Sequence, residues 1–189
     1  MKKLILGLMF PIIAFGQYTS IPDSMFEQRL IVLSYDTIHD GQVLTANISG
    51  VTSLDVIGQN IADLTGIEDF TALTNLNCHN NQLASLNVTQ ITALTYLDCG
   101  ANQLTSLDIS QNTALYNLDC SGNQLTSLDV SQNTALTYLF CENNQLTSLD
   151  VSQNTALTEV FFTNNLLTNL DLSQNTALTY LFCENNQLT

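Results

Sequence analysis

The chain has 189 residues, 3 Lys and Arg against 17 Asp and Glu, and a formal net charge of −14. Recognition of phosphates and anionic lipids depends on lysine and arginine, so this balance excludes nucleic acid and acidic membrane surfaces as partners. The acidity reads as solubility for an exported protein, with attraction of cations or basic partners as the sharper alternative.

Residues 1–16 carry Lys2 and Lys3, an apolar run interrupted by Pro11, and Ala14-Phe15-Gly16 as a small-residue cleavage site. That is the pattern of a secretory signal peptide, and its apolar run is shorter than the roughly 20 residues a spanning helix needs. Gln17 rather than Cys follows the cut, which disfavours a lipid anchor. The expected location is therefore secreted or cell surface, with no membrane insertion.

Residues 17–50 are non-repetitive and read as an N-terminal cap, because a solenoid must cover its first coil with an atypical unit. Asp23 or Ser24 caps a short helix that ends near Ser34, Glu27 sits three residues after Ser24 as in a capping box, and Met25, Phe26, Leu30 and Leu33 form its apolar side. Asp40-Gly41 signals a turn before a strand over residues 43–48.

Residues 51–189 repeat with a period of 21 after a longer first unit, and residues 94–114, LTYLDCGANQLTSLDISQNTA, typify the unit. Self-similarity at this spacing marks a solenoid, whose units bury their apolar faces against one another. Leu97-Asp98-Cys99 and Leu107-Asp108-Ile109 alternate, so each coil is expected to have two extended pieces with Leu97 and Cys99 inside and Tyr96 and Asp98 outside. Asn81, Asn102, Asn123, Asn144, Asn165 and Asn186 recur at one position, where an amide can both donate to and accept from the buried backbone of a sharp turn. They read as a structural ladder.

The motif carried by Leu94, Leu97, Cys99, Asn102 and Leu104 resembles that of leucine-rich repeat proteins, and the Ile61, Leu64, Ile67, Phe70 spacing is similar to internalin-type bacterial repeats. The resemblance implies an α/β fold: a curved solenoid with a parallel β-sheet on its concave face, a mostly irregular convex side and a small helical cap. It also implies partner binding through the concave face rather than catalysis. The leader region looks like that of secreted proteins exported by type IX secretion. The last copy stops halfway through a unit at Thr189, so further repeats and a C-terminal sorting domain are expected to follow.

Cys78, Cys99, Cys120, Cys141 and Cys183 stand in one column with Phe162 between the last two. Equivalent residues on parallel strands lie about 4.8 Å apart with parallel Cβ vectors, whereas a disulfide needs Cβ atoms near about 3.8 Å. Buried free thiols are expected. Asp108, Asp129, Asp150 and Asp171 form an outward column; either their carboxylates accept turn N–H groups, or the column gathers calcium weakly. Mutual repulsion there would raise their pKa values. No CxxC or HxxxH marks a metal site and no cofactor is implied. His39 and His79 are the only histidines, without a GxSxG or HExxH motif, so no enzyme is expected.

The functional expectation is a secreted or cell-surface binding module for a protein or glycan ligand. Its contact residues are expected to be Tyr96, Tyr138, Phe140, Glu159, Phe161, Tyr180 and Phe182, the outward residues of the strands. The alternatives are a structural spacer of a larger adhesin, favoured by the matching segments 136–147 and 178–189, and the non-catalytic part of a larger enzyme.

Overall fold

The computed structural model describes residues 16–189, so the expected signal peptide lies outside the described residues except for Gly16. The chain begins with β1 (Tyr18–Ser20), α1 (Ser24–Val32), β2 (Gln42–Leu44) and α2 (Thr45–Ile48). Strands β1 and β2 pair antiparallel, with Thr19 opposite Val43.

Asp23 is the N-cap of α1: its Oδ1 accepts from the Met25 and Phe26 amides at 2.9 Å each. Its other oxygen accepts from the Ala62 and Asp63 amides at 2.8 and 3.0 Å, so one carboxylate both starts the helix and ties it to the first coil. Phe26 and Leu30 point into the core, and the Phe26 ring meets Phe70 at a centroid distance of 6.3 Å. Ser34 ends this segment in the left-handed region, φ 64°.

Three local expectations for the cap are corrected. Met25 is exposed rather than part of the apolar side. Glu27 closes no capping box; its buried carboxylate accepts from the Asp40 and Gly41 amides and so holds the turn before β2. The strand expected over residues 43–48 stops at Leu44 and becomes α2. Val43 and Ile48 are both fully buried, and residues five apart in a strand face opposite sides. Only a helical turn after Leu44 sends both inward.

Seven strands form one parallel sheet in sequence order: β3 (Ser53–Asp55), β4 (Asn75–Asn77), β5 (Tyr96–Asp98), β6 (Asn117–Asp119), β7 (Tyr138–Phe140), β8 (Glu159–Phe161) and β9 (Tyr180–Phe182). Their register is constant, with Leu76 opposite Leu97, Leu97 opposite Leu118 and Leu118 opposite Leu139. The central residue of each strand from β3 to β8 is buried and its two neighbours face outward. Leu94, Leu97, Cys99, Leu104, Leu107 and Ile109 of the typical coil are all buried, as are their counterparts in the next coil. Each buried leucine contributes roughly 1.5 to 3 kcal/mol relative to exposure.

The second extended piece forms no strand. One isolated bridge, Asn87 to Asp108, is its trace among the described residues. The cause is local: the Asp108 Oδ1 accepts from the Ser110 amide at 3.0 Å and bends the chain into a turn before a ladder can propagate.

Asparagines connect the coils on the inside. Asn102 donates from Nδ2 to the Cys99 carbonyl of its own coil at 3.0 Å and to the Cys78 carbonyl of the preceding one at 3.1 Å, while its Oδ1 accepts from the Leu83 amide at 3.0 Å. Asn123, Asn144 and Asn165 repeat this pattern. A second file, Asn112, Asn133, Asn154 and Asn175, is buried on the other side of the coil. Asn133 donates to the Ile109 and Asn112 carbonyls at 3.0 and 2.9 Å. The Oδ1 atoms of this second file accept no hydrogen bond among the described residues, so its contribution comes from the donors alone.

Candidate binding face

The outward side chains of the strands form columns because neighbours pair without a shift. The first column passes Asn75, Tyr96, Asn117, Tyr138, Glu159 and Tyr180, the second Asn77, Asp98, Asp119, Phe140, Phe161 and Phe182. The second column therefore changes character between β6 and β7, from carboxylates to aromatic rings.

The aromatic half is contiguous. Phe140 and Phe161 have ring centroids 5.0 Å apart and tilted by 48°, and Phe161 and Phe182 lie 4.6 Å apart and nearly stacked at 21°. Tyr138, Glu159 and Tyr180 run alongside on the same three strands. Six of the seven expected contact residues thus share β7 to β9, whereas Tyr96 stands on β5, separated from Tyr138 by Asn117 on β6. Tyr96 instead borders a shallow depression of about 180 Å³ with Ser53, Leu54, Asp55, Asn75 and Asn77. Partial burial and the charges of Asp98 and Asp119 push its phenol upward, so it stays protonated at neutral pH.

Between the two halves sits Glu142. Burial, with Asp119 adding to it, raises its carboxyl above the usual range, and its Oε2 has no hydrogen-bond partner among the described residues. Further toward the cap, His79 Nδ1 lies 3.1 Å from Asp98 Oδ1. His79, Asp98 and Asp119 each offer one ligand atom, all within 4.8 Å of one another.

The sequence holds no short ligand motif, yet the register brings these three residues together. The signal was present as arithmetic rather than as a short motif, since a 21-residue stride sets His79 beside Gly100 and Ser121, and Asp98 beside Asp119. The same stride would have revealed the second asparagine file.

Solved structures share this architecture. The functional domain of InlJ from Listeria monocytogenes, described as including a cysteine ladder, superposes with a TM-score of 0.75 and 37% identity over 92% of this chain. The chain folds as a leucine-rich repeat protein. A leucine-rich repeat protein of Leptospira interrogans matches 72% of it with a TM-score of 0.69 and 28% identity. Internalin C2 of Listeria monocytogenes matches 93% with a TM-score of 0.68 and 19% identity, a likeness of fold. The chain spans 44% of the InlJ domain, 38% of the Leptospira protein and 92% of internalin C2. No protein-family model matches the chain, and no curated protein does.

Within this leucine-rich repeat chain the cysteines are free thiols, with Cys78, Cys99, Cys120 and Cys141 buried and Cys183 partly so. Burial pushes the four buried thiols far above their ordinary range, and a thiol that does not ionise is a poor nucleophile.

The acidic column has its own turn donors. Asp129, Asp150 and Asp171 accept from the Ser131, Ser152 and Ser173 amides at 2.9, 2.9 and 2.8 Å. Hydrogen bonding to the turn serines lowers the carboxyls of Asp108, Asp129, Asp150 and Asp171. The rise that mutual repulsion would produce is not what the geometry yields. No helix among the described residues is long and apolar enough to cross a membrane.

Proposed function

We propose that the chain is an exported leucine-rich repeat module that binds a protein or glycan through the aromatic strip on β7 to β9, with Tyr138, Phe140, Glu159, Phe161, Tyr180 and Phe182 as its contacts. The observation that carries this reading is the run of three contiguous phenylalanine rings on the outward face of the sheet instead of in the core, half-buried at Phe140 and Phe161 and exposed at Phe182. A contiguous exposed apolar patch marks interaction sites more often than it serves the fold, and aromatic residues are enriched at interface cores. The internalin-like architecture of the structural neighbours agrees with a binding role. Cross-strand ring contacts also contribute about 0.2 to 1 kcal/mol each to the sheet, so stability and binding must be read separately.

The test compares capture of partners from culture supernatant, and binding to a glycan array, by the native chain, the Phe161→Ser variant and a Gln132→Ala control on the turn side. Loss of a specific ligand by Phe161→Ser alone, with circular dichroism unchanged, supports the strip. Retained binding with a lowered Tm assigns the rings to the fold and moves the contact surface elsewhere. A spacer role is the second reading, favoured by the identity of segments 136–147 and 178–189; it expects no ligand in either assay.

A further inference from the structure

We propose that His79, Asp98 and Asp119 form a binding site for a divalent transition-metal ion on the open face of strands β4 to β6, with Gly100 providing the space the ion occupies. The proposal is independent of the aromatic strip and of what that strip binds.

Four observations meet at one point. The ligand atoms of the three residues lie within 4.8 Å of one another. Zinc bonds of about 2.0 to 2.2 Å to nitrogen and oxygen place neighbouring ligands on the order of 3 to 4 Å apart, so side-chain adjustments of about an ångström close the site. Register supplies the carboxylates, because Asp98 and Asp119 are direct partners across β5 and β6.

Gly100 is the second observation. Its column reads His79, Gly100, Ser121, Glu142, Thr163, Glu184, so the coil between His79 and Ser121 is the one without a side chain. A Cβ built there would lie 2.9 Å from His79 Nδ1, 3.0 Å from Asp119 Oδ1 and 3.1 Å from Ser121 Oγ. Polar atoms from both flanking strands thus converge on the missing side chain. Backbone strain does not account for the glycine, since Gly41, Gly58, Gly66 and Gly122 take positive φ and Gly100 does not.

Third, the donors are already held in place. Asp98 Oδ1 accepts from the Gly100 amide at 3.0 Å, and Asp119 Oδ1 accepts from the Ser121 amide at 2.9 Å and its hydroxyl at 2.6 Å. Backbone support of this kind orients carboxylates and lowers the reorganisation that binding requires. The site is half-sheltered, with side-chain exposures of 34% for His79 and 14% for Asp98.

Fourth, the charge is unbalanced. Two carboxylates, Asp98 and Asp119, face one imidazole, His79. A divalent cation neutralises both aspartates. One imidazole nitrogen with two carboxylate oxygens suits zinc, manganese or iron, whereas calcium and magnesium take oxygen ligands. Water or a ligand's carboxylate fills the outward coordination positions.

The experiment uses the chain from Gln17 onward, stripped with a chelator and kept reduced, titrated calorimetrically with Zn²⁺, Mn²⁺ and Ca²⁺ alone. One equivalent of Zn²⁺ should bind, more tightly than Ca²⁺. Asp119→Asn, which keeps the side-chain shape, and Gly100→Ala, which removes no ligand but fills the cradle, should each weaken Zn²⁺ binding at least about tenfold. Circular dichroism of both variants checks that the fold persists, and a Gln132→Ala control should bind as the native chain does. Co²⁺ substitution should give a visible spectrum of nitrogen and oxygen ligation. Absence of Zn²⁺ binding, binding indifferent to Asp119→Asn with the fold intact, or a Co²⁺ spectrum dominated by thiolate charge transfer would overturn the assignment.

Discussion

Ala101 takes a backbone conformation that alanine rarely adopts. The turn after each strand passes through the left-handed region, taken by Asn80, Gly122, Asn143, Asn164 and Asn185 in the other coils and by Ala101 at φ 51°. Asparagine and glycine tolerate that region, whereas an ordinary Cβ there costs about 1 to 2 kcal/mol. We expect Ala101→Gly to stabilise the chain by about 1 kcal/mol after the greater entropy of glycine in the unfolded state is counted, measured as an increase in the denaturant midpoint. Asp129 makes the opposite kind of contribution. Its folded carboxyl is lowered, first by the Ser131 amide, so its stabilisation is present above the unfolded carboxylate range and is lost as pH falls through the folded value. The difference in Tm between the native chain and Asp129→Asn should therefore favour the native chain at pH 7 and vanish in stronger acid. A difference that grew on acidification would show a raised carboxyl and restore the repulsion reading.

At the scale of one coil, the asparagine at the inner turn links adjacent coils by hydrogen bonds that no leucine supplies. Asn123 accepts from the Leu104 amide at 2.9 Å and donates to the Cys99 and Cys120 carbonyls at 3.1 and 3.0 Å, all in the dry interior. Asn123→Ala strands the Leu104 amide, while the Cys99 and Cys120 carbonyls each keep one bond, from Asn102 and Asn144. With one unsatisfied amide at about 1 to 3 kcal/mol and two further bonds lost at about 0.5 to 1.5 kcal/mol each, the loss should be roughly 3 kcal/mol by denaturant unfolding, and smaller for Asn186→Ala in the outermost coil, where Asn186 and Cys183 are only partly buried. Much of the coil was legible from the sequence because period and alternation both act locally: Leu97 and Cys99 had to face inward for the same reason that Tyr96 and Asp98 had to face outward. The second extended piece was misread because alternation at Leu107 and Ile109 describes burial, while the Asp108 turn decides hydrogen bonding. The strand expected after Val43 failed for a similar reason, since the burial of Ile48 outweighed β-branched composition. The cluster of His79, Asp98 and Asp119 was not legible as a motif, because its members come from three coils and meet only through the register.

The whole molecule is one file of coils, each touching its neighbours, so its stability approximates a sum of coil and interface contributions. Removing residues 136–156 joins Ala135 to Leu157 and should let β6 pair with β8, since Asn117 and Glu159 each occupy the first position of their strands. The shortened chain should unfold in a single transition with a Tm lowered by a few degrees, in keeping with a loss of about 1 to 2 kcal/mol. Removing residues 136–146 instead leaves half a coil over, which the neighbouring coils cannot match in register; that variant should not fold cooperatively past β6. Equal behaviour of the two deletions would mean that register does not control the fold.

The unshifted pairing of β3 to β9 has a consequence for how such a chain can change over generations. Both asparagine files, the cysteine column and the outward columns keep step with the same stride, so an insertion or loss of half a coil breaks all of them together, whereas the single extra residue between β3 and β4 is absorbed in the turn. Length is thereby quantised in whole coils, whereas the outward positions, which no neighbour inside the coil constrains, remain free to vary one at a time. Recombination between equivalent coils would carry a set of outward residues intact from one place in the file to another, and would leave behind matching segments of the kind seen at 136–147 and 178–189.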